Sequence, residues 1–365
     1  MKVLLCSRNL ILRNILATFF LTLPVLILSA QPLRVGIAGL SHDHVNGIMH
    51  QYKNGEVIIA GIAEADDNLV QRFKKTYQLP DSLFYKTITD MLSHIKPDAV
   101  LAYNAIADHL SVVEACAPKG ISVMVEKPLA TTVEQTDRMA ALVKQYHIKL
   151  LTNYETTWYG SLQQAYKMVQ DNAIGNIRKI IFHTGHQGPK EIGCSADFLQ
   201  WLTDPVKNGG GALTDFGCYG ANIMTWLMGG KAPIAVTCIT RHIKPDIYPK
   251  VDDDATIMLE YPDATGIIEA SWNWPYGMKE MEVFGQKSSL HEVNGNVLEK
   301  RDNASYYLID YKQDIYRNNL IYLHDVLNGT LKPDNDLSSL ENNLIVVKIL
   351  DAARRSAKEG KRVTL

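Results

Sequence analysis

Cysteine is scarce in this chain, and what there is of it is scattered. Five of 365 residues are Cys. No C-x-x-C pair occurs, so neither a zinc site nor a disulfide framework is indicated. One isolated bridge is compatible with an oxidising compartment. An excess of one charge is also missing. There are 37 Lys and Arg against 39 Asp and Glu, a net charge of −2, with no charge run. That excludes the basic footprint of a nucleic-acid binder and argues against a charged tail. Internal repeats and low-complexity linkers are absent as well. Only one long apolar run exists, Ile15 to Leu28. It is short for a membrane span.

That run has its own meaning. Lys2, Arg8 and Arg13 lie on its N-terminal side, and Leu28-Ser29-Ala30 follows as a small-residue cleavage site before Gln31-Pro32. A basic segment, an apolar segment and small residues make a secretory signal. No Cys adjoins the cleavage point, and no twin-Arg pair precedes it. The expectation is a signal peptide over 1–30, export to the periplasm, and no stable membrane span after cleavage. Cys116, Cys194, Cys218 and Cys238 remain.

What is present is ordinary in amount: 46% hydrophobic and 21% charged residues, enough chain for two domains with sizeable cores. Leu33–Ala38, Val57–Ala63, Ala99–Ala102 and a run opening at Ile121 read as strands. Helical stretches of about ten residues separate them, which predicts a parallel, doubly wound sheet over 31–150. From 151 the pattern changes to long alternating stretches at 177–184, 234–241, 254–261, 266–274 and 279–285, joined by hairpin-like loops. These predict a mostly antiparallel sheet. A helix over 337–356 closes the chain. The fold class is therefore an α/β Rossmann domain followed by an α+β domain (151–365) with a large, open, mostly antiparallel sheet.

Three places carry chemistry. First, β-strand 33–38, containing Gly36, runs into Gly39-Leu40-Ser41-His42-Asp43-His44. This is a partial G-x-G-x-x-G in which Ser41 and His44 replace the second and third glycines. Following a strand and opening a helix, it has the context of a dinucleotide turn. Glu64 ends the next strand 25 residues after Gly39, where an acid accepts ribose hydroxyls and repels a 2′-phosphate, so NAD is favoured over NADP. His42, Asp43 and His44 raise the question of a metal; a tight turn places them poorly for one ion, and none is expected. Second, Ile121 to Glu126 ends in Lys127-Pro128, which puts Lys127 at the carboxyl end of a strand, where open α/β sheets hold their ligands. Third, Gly209-Gly210-Gly211-Ala212-Leu213-Thr214-Asp215-Phe216-Gly217-Cys218-Tyr219 begins a helix in the second half.

Together, Glu126-Lys127-Pro128, the Gly209–Tyr219 stretch and the C-terminal Asp351–Val363 segment resemble the Gfo/Idh/MocA oxidoreductases from Leu33 onward. The resemblance implies NAD(P)-dependent chemistry on sugars or polyols and oligomer contacts through the open sheet. It also implies a Lys127 between nicotinamide and substrate, its Lys-Pro bond often cis. Tyr219 stands where many members have a catalytic His, as in the glucose–fructose oxidoreductase branch. Lys127 and Tyr219 are then the acid/base pair, the ammonium favouring a phenolate, and Asp215 orients Lys127 or binds a hydroxyl. Gly36, Asn104, His109 and Glu126 complete the cofactor candidates. Tyr154, His183, His186, Asn222, Trp272 and Trp274 are the substrate candidates; the two tryptophans are expected to share one strand face. Three readings follow: an exported NAD-dependent enzyme oxidising a secondary hydroxyl of a sugar, a glycoside-cleaving enzyme using transient oxidation and elimination, and a non-catalytic carbohydrate-binding protein on the same fold.

Overall fold

A computed structural model describes residues 32–312 and 318–365; the expected signal peptide lies outside them. The first half runs β1 (Leu33–Ala38), α1 (Val45–Lys53), β2 (Val57–Ala63), α2 (Asp67–Tyr77), β3 (Phe84–Tyr85), α3 (Ile88–His94), β4 (Ala99–Ala102), α4 (His109–Cys116), β5 (Ser122–Glu126), α5 (Val133–Tyr146) and β6 (Leu150–Asn153). The six strands are ordered β3-β2-β1-β4-β5-β6, and every pair is parallel. Helices cover both faces, so β4 and β5 are buried along their whole length and read as continuous apolar runs rather than alternating ones. Helix starts are capped by side chains: Asp66 accepts from the Asn68 and Leu69 amides, Thr87 from Asp90 and Thr132 from Gln135. The strand order reverses between β1 and β4. A doubly wound sheet opens its ligand crevice there.

The second half contains α6 (Gly160–Gln170), β7 (Ile177–Gly185), α7 (Ala196–Leu202), α8 (Ala212–Asp215), α9 (Gly217–Leu227), β8 (Ala235–Arg241), β9 (Asp254–Glu260), β10 (Thr265–Ser271), β11 (Met278–Gly285), β12 (Ser289–Asn294), β13 (Val297–Arg301), β14 (Tyr306–Leu308), α10 (Asn319–Leu327), α11 (Leu340–Glu359) and β15 (Val363–Thr364). Its nine strands are ordered β14-β13-β12-β11-β7-β10-β9-β8-β15. β7 and β10 pair in parallel; the others pair antiparallel. Alternation decides the faces. In β9, Ala255, Ile257 and Leu259 point to the helices while Thr256 and Met258 stand on the open face.

Two details differ from the sequence reading. The sheet gains β12 to β15 beyond the five long stretches. The closing helix is shifted to 340–359, set by the Ser339 N-cap and by Gly360, whose φ of +64° makes the left-handed C-cap. The C-terminal segment also reaches beyond the second sheet. Leu320, Leu323 and Val326 of α10 join the core of β1 and α1, and α11 packs on α5 as well as α9. Residues 32–365 therefore form one compact unit.

Candidate active site

The site begins where β5 stops. Glu126 ends the strand, and Lys127-Pro128 follows with a cis peptide bond. Across from it, the last glycine of the run lets the chain press against Asp252. A Cβ on Gly211 would lie 1.7 Å from the Asp252 carbonyl oxygen. The Asp252 carboxylate accepts the Gly211 and Leu213 amides at 2.9 and 2.7 Å. This clamp fixes α8, and α8 ends in Asp215. Lys127 Nζ then donates to Asp215 Oδ1 at 2.5 Å and to the Asp215 carbonyl at 3.0 Å. Trp272 Nε1 donates to the other carboxylate oxygen at 3.0 Å. All three side chains are buried.

Burial opposes charge on both members of the pair, but each offsets it for the other. Desolvation is the largest single influence on Lys127 and lowers its pKa, but the Asp215 charge and hydrogen bond, with Glu126 and Cys218, together leave it raised. Desolvation likewise acts most on Asp215, but the charge and hydrogen bond of Lys127, with His186 and the Trp272 hydrogen bond, together leave its pKa lowered. Tyr219 behaves differently from the expectation. Its phenol is pushed well above 10, first by burial and then by the carboxylate of Glu155. The Lys127 ammonium sits 5.0 Å from the ring centroid and is bonded to Asp215, not to the phenol oxygen. Tyr219 therefore keeps its proton in the resting site.

A 220 Å³ cavity opens beside these residues, lined among others by Tyr159, His186, Phe216, Lys279 and Asn294. His186 is the one substrate candidate that lines it. Its Nδ1 accepts the Gly188 amide at 2.9 Å, its ring meets Phe216 edge-on at 4.8 Å, and burial lowers its pKa. The other candidates are placed elsewhere. His183 bonds Glu269 at 2.8 Å on the partly exposed side of β7, whereas His186 lies just beyond the strand's end at Gly185. Trp272 and Trp274 share no strand face, since β10 ends at Ser271. Trp272 is buried behind Asp215, while Trp274 lies near His183, ring centroids 6.3 Å apart. Tyr154 is buried edge-on against Tyr219. Asn222 is buried between α9 and α11, donating to the Leu337 carbonyl at 2.8 Å. It ties helices together.

The β1–α1 turn separates two further cavities. The first, 510 Å³, is lined by Gly39, Ser41, Glu64, Asn104 and Trp201 among others. Gly39 has φ +83°, and a Cβ there would meet Asn104 at 2.7 Å, so no other residue fits. Glu64 accepts the Leu40 and Asp66 amides at 2.8 and 2.9 Å, which leaves a carboxylate capacity for a diol. Asn104 Oδ1 is buried without a partner. The lysines lining this cavity, Lys86 and Lys207, are ion-paired with Asp67 and Asp108. An adenosine ribose without a 2′-phosphate fits this donor set. The second cavity, 530 Å³, is lined by His44, Tyr103, Glu126, Asn153 and Glu155 among others. Glu126 is held by His44 Nδ1 at 2.9 Å and Asn153 Nδ2 at 2.8 Å.

Four cofactor candidates, Gly36, His42, His109 and Lys127, do not line these cavities. Gly36 lies inside β1, where a Cβ would meet Met91 at 2.9 Å, so it serves packing on α3. His109 is buried with Nδ1 bonded to the Leu129 carbonyl at 3.1 Å, linking α4 to the segment after Pro128. His42 is also buried, its ring 4.6 Å from Phe198 and 5.4 Å from Trp201. The tight turn does bring His42, His44 and Glu126 together: one ligand atom of each lies within 4.8 Å of the others. However, His42 Nδ1 accepts the His44 amide at 3.1 Å, so that lone pair is taken and Nε2 carries the proton. Asp43 turns away and accepts the Ser195 amide at 2.8 Å. The cluster is two ligands short of a closed site, and no metal is assigned.

Sequence reasoning missed Glu155 and Lys279. Lys279 Nζ lies 5.1 Å from the Tyr219 ring centroid and 2.8 Å from Glu155. The signal was present: Lys279 has the same parity along its strand as Met281 and Val283, both buried, so it belongs to the inward face.

Comparison with known proteins identifies the family of the fold. The model of the oxidoreductase family, NAD-binding Rossmann fold, matches residues 33–154. That of the GFO/IDH/MocA C-terminal domain matches 162–291. Myo-inositol 2-dehydrogenase of Thermotoga maritima is 21% identical over 342 residues, 91% of this chain and 98% of that protein. Two solved structures share the fold. Aldose–aldose oxidoreductase from Caulobacter crescentus, complexed with glycerol, superposes with TM-score 0.76 at 22% identity, covering 92% of this chain and 100% of the other. An inositol dehydrogenase homologue from Azotobacter vinelandii, complexed with NAD+, gives 0.78 at 17% identity, covering 92% and 98%.

Proposed function

The chain belongs to the GFO/IDH/MocA family of NAD-binding oxidoreductases, and from that premise we propose that it oxidises a secondary hydroxyl of a sugar or glycoside. The buried Lys127–Asp215 pair, its ammonium 5.0 Å from the Tyr219 ring, carries the reading. Gly39, Ser41, Glu64 and Asn104 would hold the adenosine half of NAD, and His44, Glu126 and Asn153 line the cavity on the nicotinamide side. NAD, when bound, supplies the hydride acceptor.

The chain's own residues handle the proton. Oxidation breaks a C–H bond, whose electron pair leaves as hydride, and an O–H bond, whose proton needs a base. Tyr219 in its phenolate form accepts that proton; as the resting phenol, it donates one in the reverse reduction. Lys127 stays charged and gives hydrogen bonds to oxygen, and Asp215 holds it in place. His186 offers an Nε2–H donor, since its Nδ1 is occupied. The family relatives act on a polyol and on aldoses, which supports a neutral polyhydroxylated substrate. Export through the segment 1–30 and assembly through the open face of the nine-stranded sheet belong to the same proposal. The test is a panel of mono- and disaccharides, assayed for NADH and for keto product, on the wild type and on Tyr219→Phe. Size-exclusion chromatography of the purified enzyme tests assembly.

A further inference from the structure

Tyr219 takes ammonium groups from two lysines, and the family motifs account for only one of them. Lys279 opens β11 on its helix-facing side and approaches the Tyr219 ring at 5.1 Å, as closely as Lys127 does at 5.0 Å. It also crosses from the second sheet to the Rossmann side, bonding Glu155 at 2.8 Å. Glu155 is fixed a second time by the Tyr159 hydroxyl, which donates to it. Tyr159 is held in turn against the backbone of Gly295, where a Cβ would come within 2.8 Å of its ring. Lys279 and Tyr159 both line the 220 Å³ cavity.

We propose that Lys279 is a further positioning residue of this site: it holds the Glu155 carboxylate and presents its own ammonium to the Tyr219 ring, so that negative charge on the phenol oxygen is tolerated during proton transfer. The inference rests on the reading of Tyr219 as the proton carrier. The charges around that ring explain why such help is needed. Glu126 and Lys127 face it from the end of β5, Tyr154 and Glu155 from the segment after β6, and Asp215 and Cys218 from α8 and α9, while His186 at the end of β7 lies one ring further off, behind Phe216. Glu155 is the largest single charge opposing the phenolate. Lys127, the nearer family lysine, is bonded to Asp215. Lys279 is the cation that answers Glu155.

The experiment places 3-fluorotyrosine at position 219 and follows its ionisation by ¹⁹F NMR in the intact protein, alongside sugar turnover. Lys279→Met keeps the apolar stem and removes the charge. It should raise the Tyr219 midpoint and lower kcat about 10–30-fold, the range of one desolvated cation–π contact, with NAD affinity unchanged. Glu155→Gln should lower the midpoint. Lys279→Arg should restore most of the wild-type pH profile. An unchanged midpoint in both Lys279→Met and Glu155→Gln, or an Arg variant no better than Met, would overturn the inference. Midpoints that move in these opposite directions in an enzyme that oxidises none of the sugars would support it and leave the proposed substrate class as the part that fails.

Discussion

Asp215→Asn isolates what holds the site together. The exchange keeps shape and one acceptor but removes the charge opposite Lys127. Side-chain exposures of 7% and 8% mean that solvent screens the pair little. Removing one member of a buried ion pair leaves an uncompensated charge and costs about 3–5 kcal/mol. Lys127 retains the Asp215 carbonyl at 3.0 Å, so the lower end applies, about 3 kcal/mol. The pH dependence supplies a second check. In the wild type, Asp215 raises the Lys127 pKa, so this contribution is present below the unfolded lysine pKa and is lost as pH rises through the folded value. In Asp215→Asn, burial, the largest influence, is opposed only by weaker neighbours such as Glu126 and depresses the Lys127 pKa. The unfolded chain then binds more protons in the window below about 10, and stability rises with pH there. Urea unfolding at several pH values from neutral to alkaline, with protection of Lys127 from amine modification, measures both effects. A variant within about 1 kcal/mol of wild type at neutral pH, with an unchanged pH slope, would refute the account of the pair. Replacing both partners by Met and Leu should recover most of the loss, because the unpaired charge disappears.

Further outcomes follow from the same geometry. Tyr219→Phe should lower turnover about 10²–10⁴-fold, the usual range for a lost acid or base, while NAD binding measured by calorimetry persists; near-normal turnover would move the proton to another group, His186 first. Glu64→Ala should weaken NAD and narrow its preference over NADP, read from paired titrations; equal wild-type curves for the two cofactors would contradict a ribose role. Glu292 is buried against Ser161 Oγ at 2.8 Å, and burial pushes its pKa up to about 7. The folded state therefore binds the extra proton between the two pKa values, and stability falls as pH rises from about 4.5 to 7; Glu292→Gln should flatten that part of the melting profile. Protein purified without added cofactor and then denatured should release near-stoichiometric nicotinamide dinucleotide if export is coupled to a captive redox cycle, since occupancy at nanomolar free NAD needs about −12 kcal/mol; an empty protein would end that idea.

Much of this site was legible because its signals are local. A strand that stops at Glu126 with Lys127-Pro128 beyond it, and a glycine run before Asp215, both announce backbone that must approach something closely. Glu64 was found from spacing alone. The misplacements came from questions that spacing cannot answer. His183 and His186 lie three apart, and only the end of β7 at Gly185 decides that His186 turns toward the cleft. Trp272 and Trp274 look like one face until β10 is seen to end at Ser271. Asn222 follows a motif helix but is covered by α11, which arrives from 120 residues away. The Tyr219 phenol was expected to be acidified by Lys127. Composition could not show that Asp215 already neutralises that ammonium, or that Glu155 adds an opposing charge.

The central claim is that Tyr219, beside the charged Lys127, takes up a proton while hydride leaves a sugar carbon for NAD. Its most direct test is single-turnover reduction of enzyme-bound nicotinamide, followed by absorbance, when each member of a sugar panel is mixed with NAD-loaded protein, together with mass analysis of the released sugar. Reduction that depends on one sugar class, yields a product lighter by two hydrogens, and is lost in Tyr219→Phe although NAD stays bound is the result this account predicts. NAD-loaded wild-type protein that binds a sugar but shows neither reduced nicotinamide nor altered sugar at any time would contradict it.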